Sequence, residues 1–310
     1  MAYTVLTQVL ILSCMILLGF ILGRKGVVDQ KGSDLLSKLL LDVFFPCNVL
    51  AAASGEFGDM PFSKALGIIL AYLTCFFLFT FLAYLLAKAL RLNEDDTLVF
   101  SRSVAYPNNG FMGISLCSAV FSTQGAVLAA LSVPSSTLYL FFMVMQSFRR
   151  EKEHGLVQQI RGLLTPLNLS TLMMIVMIAF GWKFTGAPYQ FFSRFGACVM
   201  PTSMLIIGCQ LSRKPLLDAL RKPLLYLITV LRGIVMPLLG AFLLRFTGWD
   251  HIVCLCIITI LGCSVATTVS IFAVRYDRSP ELASESVLHS NLFLPITMPL
   301  MMLIAERILL

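Results

Sequence analysis

The residues best suited to chemistry in this chain lie inside its most apolar stretches. "SVAYPNNGFMGISL" (Ser103–Leu116) sets Pro107, Asn108, Asn109, Gly110 and Gly113 into an apolar run of membrane-spanning length. Proline cannot donate to the carbonyl four residues back, and its ring clashes with that carbonyl. Each glycine lowers helix propensity by about 1 kcal/mol relative to alanine. Two adjacent asparagine amides are costly to bury unpaired. A helix resuming near Asn109 would offer unpaired N–H groups and about half a positive charge at the break, which suits a carboxylate or another small anion. A second patch, "LGCSVATTVS" (Leu261–Ser270), places Ser264, Thr267, Thr268 and Ser270 inside another apolar run. Pro107, Asn108, Asn109, Gly110, Ser264, Thr267 and Thr268 are therefore candidate substrate-binding residues.

Ionisable groups inside apolar runs are costly and count as functional candidates. Arg102 lies five residues before Pro107 and is placed either to draw in an anion or to reach lipid phosphates. Glu285 and His289 have i,i+4 spacing. They would act either as a proton-coupling pair, because histidine titrates near neutral pH, or simply as a hydrogen-bonded polar pair. Lys38 and Asp42, with the same spacing, are expected to form a structural ion pair, and Arg232 is expected to be structural.

Other chemistries find little support. The nine cysteines lack ligand spacing and read as small hydrophobes. There is no His-Glu-x-x-His, no Gly-x-Ser-x-Gly and no nucleotide-binding loop. No metal, no cofactor and no ATP-driven step are expected, and an intramembrane enzyme is the weakest reading. A channel or receptor is the alternative to a carrier, although nothing resembles a selectivity filter.

The elements that must position these residues follow from composition. The chain is 58% hydrophobic and 13% charged, with a mean hydropathy of +0.89; soluble domains carry roughly 25% charged residues. The fold class is an all-α polytopic membrane protein. Ten transmembrane helices are expected, at 4–23, 34–53, 65–87, 97–121, 125–148, 166–184, 189–210, 223–246, 251–275 and 282–305. The first is read as a retained helix rather than a signal peptide. Fifteen of the 23 basic residues fall in alternate loops, against five in the others. The positive-inside rule then puts both termini outside a multi-pass protein of the cell membrane. The charge of +7 belongs to those loops, so no nucleic-acid partner is expected.

Five spans at 1–148 and five at 166–310 flank a basic linker at 149–165. Pro46 in "DVFFPCNVL" and Pro201 in "GACVMPTSMLI" lie 155 positions apart, and the same shift carries Pro107 onto Gly262. An odd number of spans per repeat inverts the second half, the plan of secondary transporters. Helices 4 and 9 would be broken and cross at the midplane.

"YPNNGFMGISL" resembles the Pro-Asn-containing fourth helix of the auxin efflux carrier family, which includes plant PIN proteins and bacterial malonate or malate permease-type members. "SIFAVRYDRSPELAS" and "LPITMPL" (294–300) resemble its ninth and tenth helices, and "DVFFPCNVL" its second. The resemblance implies that helices 1, 2, 6 and 7 form a scaffold, and that 3–5 and 8–10 form a moving transport domain. It implies substrate at the crossing of helices 4 and 9, with Pro107 and Asn108 as crossover residues. The family often has a proline near Ser264 that is absent here, so Gly262, Ser264 and the threonine pair must break the ninth helix.

The expected function is a secondary active transporter or uniporter for a small organic anion, with proton coupling as one option. Its substrate, direction and driving force stay open. The Gly19-x-x-x-Gly23 spacing can bring helices close, and scaffold helices of this kind are compatible with a homodimer.

Overall fold

The computed structural model describes residues 2–55, 60–140, 165–213 and 220–309. The expected linker at 149–165 and the end of the fifth expected span fall almost wholly outside them. Every regular element among the described residues is helical, and the only β pairing among them is one isolated bridge.

In chain order the helices are α1 (Ala2–Arg24), α2 (Gln30–Ser54), α3 (Phe62–Ala89), α4 (Glu94–Ala105), α5 (Asn109–Ser122), α6 (Ser132–Tyr139), α7 (Pro166–Phe180), α8 (Gly186–Ser212), α9 (Pro223–Thr247), α10 (His251–Leu261), α11 (Thr267–Arg275) and α12 (Pro280–Leu309). Five of them, α2, α3, α8, α9 and α12, are long and apolar enough to cross a membrane. Shorter apolar helices account for most of the rest. The chain is thus a polytopic helical membrane protein.

Caps fix the helix starts. Asn93 accepts from the Asp96 N–H at 2.8 Å, and Glu94, Asp95 and Asp96 place acid in the first turn of α4, where the helix dipole favours it. Asp29 caps α2 through the Gly32 N–H, and Thr165 caps α7 through the Asn168 N–H with Pro166 in its first turn. Ser122, with φ of 54°, kinks the chain after α5, and the helix then runs on to Ala130.

Packing falls into two groups. α1 lies along α8, and α2 packs between α7 and α8. In the other group α3 packs on α4 and α6, α10 packs on α5 and α9, and α12 packs on α9 and α11. α1 against α12, and α2 and α8 against α5, join the groups. The glycine pattern of α1 is used inside the chain. A Cβ on Gly19 would stand 2.4 Å from the Leu205 carbonyl oxygen, and one on Gly23 would stand 2.2 Å from Ser212 Oγ. That face is covered by α8, so it offers no surface to a second copy.

The Lys38–Asp42 ion pair expected from sequence does not form. A π-turn at Leu40–Phe44 widens the helix there, which spoils the i,i+4 register, and both side chains are exposed.

Candidate functional site

The two patches singled out in the sequence meet. α4 ends at Ala105, Tyr106 turns extended (φ −101°, ψ 109°), and Pro107 pairs antiparallel with Val265. The Asn108 N–H donates to the Ser264 carbonyl at 2.9 Å, and the Ala266 N–H donates to the Tyr106 carbonyl at 3.1 Å. The second break needs no proline. The Val265 N–H donates to Ser290 Oγ of α12 at 3.0 Å, and Ala266 is extended (φ −63°, ψ 129°). Backbone donors freed from the helix find acceptors on neighbouring elements, as the dry interior requires. Behind the bridge, Tyr106 packs on Phe76 and Tyr139, whose hydroxyl meets Thr80 Oγ1 at 2.6 Å.

Each candidate takes a distinct place. Asn108 is buried and caps α5, its Oδ1 accepting from the Phe111 N–H at 3.3 Å, while its Nδ2 has no hydrogen-bond partner. The Ser264 hydroxyl is also buried and unpartnered, as is that of Ser103 on the last turn of α4. Asn109 points elsewhere: its Nδ2 donates to Ser132 Oγ at 2.9 Å and Ser136 Oγ at 2.7 Å. Those bonds tie α5 to α6 and leave the Asn109 amide nitrogen no role at the bridge.

Gly110 is partly exposed, and a Cβ there would meet nothing within 4 Å, so space adjoins the first turn of α5. Thr267 opens α11 and lines a cavity of about 230 Å³ with Gln30, Gln210, Arg213, Ser270 and Asn291. Thr268 beside it is half-buried. A second cavity of about 220 Å³ lies against α5, lined by Asn48, Ser115, Ser118, Gly196 and Met200. Ser115 Oγ meets Ser203 Oγ of α8 at 2.8 Å.

The ionisable candidates are arranged differently from the sequence expectation. Glu285 and His289 do not pair. Both Glu285 carboxylate oxygens accept from Lys222 Nζ at 2.8 Å, and His289 Nδ1 meets Thr229 Oγ1 at 2.7 Å. The imidazole packs edge-on against the Tyr226 ring and stacks on Phe293, and its Nε2 is buried without a partner. An ammonium is a stronger partner for the carboxylate than a neutral imidazole, which is why the spacing misled.

Lys222 lies at the start of α9, where Glu281 and then Glu285 raise its pKa, and Lys222 in turn lowers that of Glu281. At the other end of α9, Lys64 lowers the pKa of Asp250 through a hydrogen-bonded ion pair. Arg102 is buried and donates to Ser101 Oγ at 3.1 Å.

Arg232 is fully buried and donates only to main chain: Val104 O at 2.9 Å, Ala105 O at 3.1 Å, Leu261 O at 2.6 Å and Cys263 O at 3.0 Å. Sequence reasoning flagged it as structural but gave no sign that it serves both breaks. It also missed Ser103 and Ser290, which are small hydroxyls like many others in the chain.

Residues 4–159 and 155–302 match the membrane transport protein family, whose members include the auxin efflux type. The chain belongs to that family. The family is one of membrane transport proteins and not of enzymes, and the several apolar helices fit a multi-pass membrane protein. It is 22% identical over 294 residues to an uncharacterized transporter of Methanothermobacter thermautotrophicus, covering 92% of this chain and 93% of the relative. A second uncharacterized transporter, of Methanocaldococcus jannaschii, is 22% identical over 216 residues, covering 67% of this chain and 69% of its own length.

Proposed function

We propose that this transporter moves a small organic anion, a carboxylate, by alternating access at the junction of its two broken spans. The observation that carries the reading is the bridge itself. Two helices, α5 and α11, begin within a few residues of it, beside the unpartnered Asn108 Nδ2 and Ser264 Oγ. Two N-terminal dipole ends and spare donors in a low-dielectric setting suit a carboxylate.

The bridge is antiparallel, so α5 and α11 leave it in opposite directions. Each runs beside one of the two cavities, and α2 and α8 contribute to the opposite wall of both. In our reading these cavities are the two access routes of an inverted repeat. Ten spans divide into 1–148 and 166–310, both termini lie outside the cell membrane, and α1, α2, α7 and α8 form the scaffold. The two packing groups support the scaffold assignment, and a family match in two segments that meet near residue 155 supports the two halves.

The test is flux of a small carboxylate panel in proteoliposomes, with and without a pH gradient. Saturable carboxylate flux that Asn108→Ala abolishes, with the variant still reaching the membrane, is the expected result. Flux that ignores every carboxylate but responds to a neutral or cationic solute would overturn the anion assignment. The pH-gradient arm decides whether a proton is coupled.

A further inference from the structure

We propose that Arg232 is a positioning residue that sets both the shape and the charge of the junction. In an unbroken helix the carbonyls of Val104, Ala105, Leu261 and Cys263 would accept from the N–H groups of residues 108, 109, 265 and 267. At least two of those donors are diverted: Asn108 N–H goes to the Ser264 carbonyl and Val265 N–H to Ser290 Oγ. The Arg232 guanidinium takes up all four carbonyls, two from the end of α4, one from the last residue of α10 and one from Cys263 just beyond it. Its planar fork presents several N–H groups in fixed directions, which an ammonium cannot do. A π-turn at Leu231–Val235 carries it, and Gly233 lets α12 approach, with Thr297 only 3.0 Å from where a Cβ would stand.

The charge follows from the same contacts. Each helix C-terminus carries about half a negative charge, and each N-terminus about half a positive charge. With four helix ends at one place these would cancel, and an anion would gain nothing. Arg232 neutralises the two C-terminal ends that it touches, which leaves the N-termini of α5 and α11 as a net positive field of about one charge. Its burial without a carboxylate partner is then explained: the helix ends are its counter-charge. No ligand contact is required of Arg232 itself.

The charge half of this inference rests on the carboxylate reading above, and the shape half does not. Substrate-free protein tests shape by amide hydrogen exchange at Asn108 and Ala266, with α3 as the internal control. Arg232→Lys and Arg232→Gln are both expected to lower protection at those two amides by about tenfold or more while α3 is unchanged. Wild-type protection there in Arg232→Gln would overturn the positioning role. Where Arg232→Gln does not fold, Arg232→Lys gives the same reading.

Charge is tested by binding of a monocarboxylate against its primary amide. Arg232→Gln is expected to reduce the carboxylate preference by about tenfold, and Arg232→Lys to keep it. A purely structural arginine would weaken both ligands equally, and an unchanged ratio in Arg232→Gln would overturn the charge role. Failure of the wild type to bind any carboxylate would overturn both the anion reading and the charge role, while the exchange result would still judge the shape role.

Discussion

At Asn108 one side chain holds two separable assets. Its Oδ1 caps α5, and its Nδ2 is left over. Asn108→Asp separates them, because aspartate caps as well as asparagine but brings no N–H donor and adds a negative charge. The thermal midpoint is expected to hold while carboxylate binding falls below detection, read by melting and ligand titration on the same sample. Asn109→Ala should do the reverse. Ser132 and Ser136 lose their donor, which costs about 1–3 kcal/mol. Melting should fall clearly, with ligand affinity in the surviving fold unchanged. The sequence showed two equivalent asparagines. Only the direction in which α5 resumes, with Asn108 as its cap and Asn109 in its first turn, made one of them structural.

Among the elements, the two breaks differ in how they were legible. The break after α4 was visible because Pro107 removes a donor within the helix itself. The break after α10 was expected from the resemblance and from a run of small polar residues, but its cause lies on another helix. Ser290 accepts the Val265 N–H from 25 positions away in sequence. Ser290→Ala should therefore orphan a buried donor and destabilise by about 1–3 kcal/mol, with exchange at Val265 rising more than elsewhere. The Glu285–His289 expectation failed for a similar reason: correct spacing on one helix says nothing about Lys222 and Thr229 on the next. Helix positions came through closely. The expected spans at 166–184, 223–246 and 251–275 overlay α7, α9 and α10 with α11, because apolar length is a local property.

For the molecule as a whole, three sets of ion pairs among the described residues lie inside one packing group. Arg278 holds Asp95, Lys222 holds Glu281 and Glu285, and Lys64 holds Asp250. These bonds tie α4 to the loop before α12, the loop before α9 to α12, and α3 to the loop before α10. In the alternating-access cycle that we propose, such a group would move as a body, and the Ser115–Ser203 contact across the groups would have to break. Oxidising a Ser115→Cys/Ser203→Cys double variant should stop transport, and reduction should restore it, with each single variant as control.

The surface pairs also carry a pH signature. Lys64 and Lys222 lower the pKa values of Asp250 and Glu281. The stability they add is present above the ordinary carboxylate range, near pH 4, and is lost as pH falls through the lowered values. The raised pKa of Lys222 keeps its own contribution intact at every pH below the ordinary lysine range. Between about pH 5 and 8 these pairs are constant. A Lys222→Gln variant should therefore shift the thermal midpoint by the same small amount across that interval, and by less below pH 4. A transport rate that depends on pH within it must draw on another group.

The sequence by itself determined that this chain is a helical membrane protein, where most helices lie, that one span is broken at Pro107, and that a second polar patch exists near Ser264. Those properties follow from apolar length, from a missing N–H and from side-chain polarity, all fixed within a few consecutive residues. The tertiary structure alone decided that Pro107 faces Val265, that Asn109 is spent on α6, that Gly19 and Gly23 are covered by α8, and that one arginine from α9 closes four carbonyls where two other helices end. Hydrogen-bond satisfaction in a dry interior is settled between elements distant in sequence, and the order of residues along the chain does not reveal which elements will meet.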